Sequence, residues 1–305
     1  MKKEIWAIGG GKGGTGKSVL SALFATHAAG KKRKVILVDG DLGGANLHTF
    51  FNVSPDQSSL NEFFEKKTDL KDTLIDTGVS GLKLISGDMR SFNPLSVKYI
   101  QRLKFYRHLK QLNADIIIID LGAGTGLNTL DSFLLADKMI LVSTAEITSI
   151  ENLYLFVKKI IVRKIKDMLS YEGFRDIDQT IVKTVLSSRE TIKFSDFIEL
   201  LKGMGKDQEK IVNDGLGEVR INLVLNQIRE KVLSKYGISL KNILKRHYNI
   251  DALFSGYVNY NDKVRELANG DADINSVFKI DEIGSSIDFI SGNIKKGSDV
   301  NFNEL

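Results

Sequence analysis

A run of glycines ending in Lys-Ser stands near the start of the chain: Gly9-Gly10-Gly11-Lys12-Gly13-Gly14-Thr15-Gly16-Lys17-Ser18. Residues 11–18 fit G-x-x-x-x-G-K-[ST], the spacing of a loop that cradles phosphates. The chemistry sets the residue types. Successive backbone N–H groups must point inward around a triphosphate, and side chains would block that approach. The wrap therefore runs through Gly11, Lys12, Gly13, Gly14, Thr15 and Gly16, mostly glycine. A helix opening near Lys17 adds its positive dipole end. Lys17 supplies a fixed cation near the β- and γ-phosphates, and the Ser18 hydroxyl is placed to ligate Mg²⁺.

Three acids follow apolar runs. Asp39 and Asp41 come after residues 35–38, and Asp120 comes after four consecutive isoleucines at 116–119. In an open parallel sheet, ligands sit beyond the carboxyl ends of strands. An acid there serves a turn as readily as a site, but three beside a phosphate loop suit Mg²⁺, which takes oxygen ligands and keeps several waters. Lys12 is a second lysine that a phosphate loop does not need. From spacing alone it folds back on its own loop, projects across a subunit boundary, or is simply solvated. Asn226 ends the apolar run at 221–225. Its amide offers a donor and an acceptor, and the same residue type also caps strands.

The string from Lys12 to Ser18 resembles the deviant Walker A motif of the MinD/ParA ATPases. Asp120-Leu121-Gly122-Ala123-Gly124 and the run from Asp41 to Leu47 are similar to the flagellar-number regulators FlhG and FleN within that family; His48 departs from the pattern. The resemblance implies that Lys12 reaches ATP phosphates of the opposite subunit in a face-to-face dimer, a cation in trans that offsets charge on the transferring phosphoryl group. It places Asp39 in the Mg²⁺ hydration shell, Asp41 at the attacking water, Asp120 at the Walker B position and Asn226 at the adenine. Glu146 or Glu151 is expected to pair with Lys12 at rest. The cofactors implied are ATP and Mg²⁺. The partners implied are a second copy in the ATP state and a protein activator or cargo, with peripheral membrane or nonspecific DNA contact also open.

The elements that must position these residues are readable as an alternation. Apolar runs of strand length lie at 5–8, 35–38, 82–85, 116–119, 139–142, 221–225 and, more weakly, 253–258. They are rich in Ile and Val and do not alternate with polar residues, as expected of strands buried on both faces. Helical spacing fills the gaps at 18–30, 96–112 and 128–136. The fold class is α/β: a doubly wound, mostly parallel sheet of the P-loop NTPase type. Residues 151–217 break the rhythm and read as a helical insertion, long and amphipathic at first and amphipathic again near 194–201. The expectation is one domain over residues 1–305 that carries this insertion. The pattern Ile280, Ile283, Ile287, Ile290, Ile294 reads as a helix docked on the body, because its polar positions carry acids where a membrane-surface helix carries Lys and Arg.

Composition excludes much else. The 305 residues contain no Cys, which removes disulfides, thiolate metal sites and a cysteine nucleophile. His27, His48, His108 and His247 lack zinc-ligand spacing. The net charge is +5, mildly basic. Lys31-Lys32-Arg33-Lys34 reads as a solvated turn. The denser set Lys158, Lys159, Arg163, Lys164 and Lys166 reads either as a solvated face or as a seat for an anionic partner. No stretch reaches membrane-span length and no signal peptide is seen, so a cytoplasmic protein is expected. The function expected is an ATP-binding and hydrolysing dimeric switch that controls placement or number of a structure such as flagella. The alternatives are a DNA partition ATPase and a metabolic ligase or kinase.

Overall fold

The computed structural model describes residues 2–41, 44–54, 60–65, 67–87, 99–171, 206–230, 235–270 and 272–300. The described elements in chain order are β1 (Glu4–Gly9), α1 (Lys17–Gly30), β2 (Val35–Asp39), α2 (Leu47–Phe50), α3 (Leu60–Phe64), β3 (Leu74–Asp76), β4 (Leu82–Ile85), α4 (Tyr99–Gln111), β5 (Ile116–Asp120), α5 (Leu127–Leu134), β6 (Lys138–Ser143), α6 (Ile147–Tyr171), α7 (Lys206–Gly217), β7 (Arg220–Ile228), α8 (Tyr236–Tyr248), β8 (Asp251–Asn259), α9 (Asp262–Asn269), α10 (Ile274–Phe278) and α11 (Asp281–Lys296).

The strands form one sheet in the order β3-β4-β2-β5-β1-β6-β7-β8. Neighbours run parallel except β3 against β4. All seven expected strands are present. β3 is an addition: its three residues are too few to show a period, and it survives by pairing antiparallel with β4 at the sheet edge.

Burial on both faces explains the unbroken apolar runs. On one face Ile5, Ala7, Ile117, Ile119 and Leu141 pack with Phe105 and Leu109 of α4, Phe133 of α5, Phe156 and Ile160 of α6 and Leu244 of α8. On the other, Trp6, Ile8, Ile116 and Ile118 pack with Leu20, Leu23 and Phe24 of α1 and with Ile283, Ile287, Ile290 and Ile294 of α11. The tail helix is thus docked through its isoleucines, as expected. Fully burying a side chain of this size contributes roughly 1.5–3 kcal/mol relative to exposure.

The chain leaves β1 for β2 on one side and later crosses from β5 over β1 to β6 on the other. That reversal opens a crevice at the carboxyl ends of β1, β5 and β6, where ligands bind in such sheets. Of the expected insertion, α6 and α7 are described and pack on each other; the amphipathic stretch at 194–201 lies outside the described residues, as do residues 96–98.

Candidate functional site

The glycine-rich segment joins β1 to α1, as its spacing requires. Gly16 is the residue before the helix and takes φ 84°, and Gly14 takes φ 78°, backbone that L side chains rarely adopt. Close approach demands glycine elsewhere. A Cβ on Gly10 would lie 2.7 Å from the Val142 carbonyl oxygen, and one on Gly11 would run into the Asn152 carbonyl of α6.

Lys17 is buried, with its Nζ donating to the Lys12 carbonyl at 3.1 Å. Burial lowers its pKa, while the Asp120 and Asp41 carboxylates oppose that. Thr15 Oγ1 also turns to the Lys12 carbonyl, at 3.4 Å. Ser18, half-buried, hydrogen-bonds Asp120.

The three acids converge beside the loop. β2 and β5 place Asp39 and Asp120 opposite each other in register. Both are 1% exposed. Asp120 accepts from Ser21 Oγ at 3.0 Å; burial and then the Asp39 charge push its pKa up to about 7. Burial pushes Asp39 up to about 6, against the backbone N–H groups that favour its charged form. Those donors are Asp41 at 3.2 Å, Asn46 at 2.9 Å and Leu47 at 3.0 Å. Asp39 therefore anchors the loop that carries Asp41; Leu42 and Gly43 of that loop lie outside the described residues. The Asp41 carboxylate lies over Gly122, where an added Cβ would meet its Cγ at 2.8 Å.

Ser18, Asp39 and Asp120 bring hydroxyl and carboxylate oxygens to one end of the loop. That set fits Mg²⁺, which needs one or two carboxylates and completes its shell with water and nucleotide phosphates. Among the described residues no three His, Cys, Asp or Glu side chains form a cage, and Mg²⁺ requires none.

Lys12 does not fold back on its own loop; its side chain reaches across to the start of α6. Its Nζ donates to Glu146 Oε2 and to Thr148 Oγ1, both at 2.8 Å. Of the two acids expected to hold it, the structure selects Glu146, just ahead of α6.

From the far side, β7 closes the loop. Asn226 Nδ2 donates to the Thr15 carbonyl at 2.9 Å and Gln227 Nε2 to the Gly14 carbonyl at 3.0 Å. Consecutive strand residues ordinarily face opposite ways. Here Gln227 takes φ 59° within an irregularity of the β7–β8 pairing, and such bulges re-aim side chains beside sites. Sequence reasoning missed Gln227, because a bulge leaves no mark in hydrophobic spacing. It also missed the rest of a cavity of about 480 Å³, which runs from Gly16, Lys17 and Ser18 past Phe50 and Asn226 to Arg229 and Tyr260.

At least three of the five basic residues on α6 have partners within the chain. Lys159 Nζ donates to Thr125 Oγ1 at 2.6 Å, Arg163 pairs with Asp131 and Asp167 at 2.5 Å each, and Lys164 pairs with Glu218 at 3.0 Å. These contacts tie α6 to α5, to the segment after β5 and to the residue that follows α7.

A phosphate loop at the switch point of a doubly wound sheet, with acids ending β2 and β5, defines a P-loop nucleotide-binding protein. Residues 6–274 match the family model described as the CobQ/CobB/MinD/ParA nucleotide binding domain, and the chain belongs to that family. It is 28% identical to the antiactivator FleN of Pseudomonas aeruginosa over 51% of this chain and 55% of that protein. It is 33% identical to the flagellum site-determining protein YlxH of Helicobacter pylori over 50% of this chain and 52% of that one. The chain thus spans about half the length of these curated relatives. Its fold is that of the septum site-determining protein MinD of Pyrococcus horikoshii, solved with Mg-ADP: TM-score 0.62, 18% identity, 96% of each chain covered.

Proposed function

We propose that this chain is an ATP-driven dimerising switch of the MinD/ParA type. ATP sits in the cavity with its phosphates in the loop of residues 11–18. Lys17 and the loop N–H groups hold the β- and γ-phosphates, and the Asn226 side of the cavity takes the adenine. Ser18, with Asp39 and Asp120 behind it, would hold Mg²⁺, which would neutralise charge on the phosphates when bound. Asp41 orients the attacking water. Two chains close over two nucleotides, Lys12 of each serves the other's site, and slow hydrolysis resets the pair. The domain bearing this site spans residues 1–305, with 151–217 as its helical insertion.

One observation carries the reading. Lys12 sits at the mouth of the loop, held by Glu146 rather than by anything inside the loop. The pair is about a third exposed on the lysine and 65% on the glutamate, and an exposed pair contributes only about 0–1 kcal/mol. Lys12 can therefore change partners when a second chain arrives. The similarity to FleN and YlxH supports control of flagellar number or placement as the output, through a protein activator or cargo.

The experiment is ATP turnover measured across a range of chain concentrations, with size measured with and without ATP. Turnover per chain that rises with concentration, together with an ATP-dependent dimer, supports the switch. Turnover per chain independent of concentration in a monomer overturns it. DNA binding that is steeply salt-dependent and present only with ATP would assign the switch to DNA partition instead.

A further inference from the structure

The opposite end of the sheet, where the parallel strands begin, gathers cations from segments far apart in the chain. Backbone contacts bring those segments together. The Asp115 carboxylate accepts from the Lys34 N–H at 2.8 Å, the Asp115 N–H donates to the Lys34 carbonyl at 2.8 Å, and the Glu4 N–H donates to the Asp115 carbonyl at 3.1 Å. The starts of β1, β2 and β5 thus meet. The end of α11 joins them. Lys295 Nζ lies 5.9 Å from the centre of the Trp6 ring of β1, and Asp288, two turns earlier, pairs with Lys31 at 3.0 Å. The turn Lys31-Lys32-Arg33-Lys34 is therefore one part of a larger basic surface.

Three helices, α1, α4 and α11, end on this side, and lysines suit the negative ends of helices. That accounts for Lys31, Lys110, Lys295 and Lys296. It does not account for Lys32 and Arg33. Lys32 takes φ 60°, backbone where glycine or asparagine is the usual residue. Arg33 is half-buried, and no carboxylate among the described residues pairs with it, with Lys32 or with Lys296. Arg33 also faces Lys295: burial lowers the pKa of that amine, and the Arg33 charge adds to the shift while Glu4 opposes it. Like charges so placed repel, and an anion arriving between them relieves the repulsion.

We propose that this basic end, centred on Lys32, Arg33 and Lys296, is a docking surface for an acidic segment of a protein partner. The proposal rests on the reading that the switch acts through a protein partner, but not on the identity of the nucleotide. The six residues of β1, roughly 20 Å of strand, separate the surface from the phosphate loop, so a second chain closing over the loop leaves it open. The chain's own carboxylates favour a protein over a nucleic acid. Glu4, Asp115 and Asp288 stand among the cations, Asp288 with 59% of its side chain exposed. A duplex carries a charge about every 1.7 Å and runs against them. A protein segment places its carboxylates singly, one in the fork of Arg33 and others at Lys32 and Lys296.

The test is titration of the full chain into labelled decaglutamate, with decaglutamine, a short DNA duplex and phosphatidylglycerol vesicles assayed alongside. The wild type is expected to bind decaglutamate in a salt-sensitive manner and to ignore decaglutamine. Lys32→Gln with Arg33→Gln and Lys296→Gln is expected to weaken decaglutamate by roughly tenfold, since three exposed pairs are lost at a few-fold each. Its melting temperature and ATP turnover should match the wild type. Lys32→Gln with Lys296→Gln, both at exposed positions, repeats the test with Arg33 intact and should lose a few-fold. The control Lys67→Gln with Lys71→Gln and Lys263→Gln removes as much charge from exposed positions elsewhere and should change binding less than about twofold. A wild type that does not bind decaglutamate overturns the proposal, as do variants of the basic end that bind it unchanged. Equal loss in the control overturns it as well, because net charge would then suffice. DNA or vesicles that depend on these three residues more than decaglutamate does also overturn it and give the surface to that polyanion. Loss of ATP binding in the wild type would overturn the nucleotide reading and leave these peptide outcomes standing.

Discussion

Lys12 and Glu146 meet across the mouth of the phosphate loop, Nζ to Oε2 at 2.8 Å, with Thr148 Oγ1 at the same distance from the amine. A cation so placed is held from outside its own loop, by the residues that open α6. Lys12→Ala should therefore leave ATP affinity largely intact and abolish hydrolysis, as read by titration and phosphate release. Hydrolysis at the wild-type rate would remove the in-trans lysine. Glu146→Gln should favour the ATP-bound dimer, because it loosens the competing partner. The gain in dimer affinity should stay below about thirtyfold, since the dimer releases two exposed pairs and each is worth no more than about 1 kcal/mol.

Asp41 and Gly122 form the second coupled pair. The carboxylate fits over a backbone that bears no side chain, and a Cβ there would lie 2.8 Å from its Cγ. Asp41→Ala should bind ATP and persist as a dimer on a sizing column, because the water is no longer oriented. Gly122→Ala should reproduce that phenotype by displacing Asp41. A Gly122→Ala chain that turns over like wild type would show that Asp41 does not work from this position.

The parts of this site that the sequence discloses are those built by local chemistry. The glycines at 11, 13, 14 and 16, the Lys-Ser pair and the acids after apolar runs all answer to spacing along one segment. The sheet is legible for the same reason: strands buried on both faces must be apolar throughout. What stays hidden is built by approach between segments. Gln227 reaches the loop only because its backbone turns to φ 59°. Arg229 meets Tyr260 only because β7 and β8 end together. The charges on α6 look like one solvated stripe until Asp131 of α5 and Glu218, just after α7, are seen to face them.

Asp120 makes stability depend on pH. Burial raises its pKa to about 7 from an ordinary 3.8. Between those values the folded chain holds a proton that the unfolded chain has released. The favourable contribution is complete below the unfolded value and is lost as pH rises through about 7. Nucleotide-free protein should therefore lose stability from pH 4 towards pH 7 on this account, with Asp39, raised to about 6, acting in the same direction. Asp120→Asn should melt higher than wild type at pH 8, by an amount on the order of a few kcal/mol, and differ little from it at pH 4. Equal differences at both pH values in thermal melts would show that the substitution acts through packing.

Arg163 and Asp131 give the last prediction. Asp131 is 3% exposed and accepts from Arg163 Nε at 2.5 Å; Arg163 also reaches Asp167 one turn along α6. Taking one member from a buried pair costs about 3–5 kcal/mol, because the other charge stays desolvated. Arg163→Met should approach the lower figure, since the unbranched side chain fills the same channel between α5 and α6. The double substitution Arg163→Met with Asp131→Leu should recover much of the loss. Urea unfolding of the two single variants and the double variant closes the cycle. If the two single losses simply sum to that of the double variant, the contact between α5 and α6 is not electrostatic in origin.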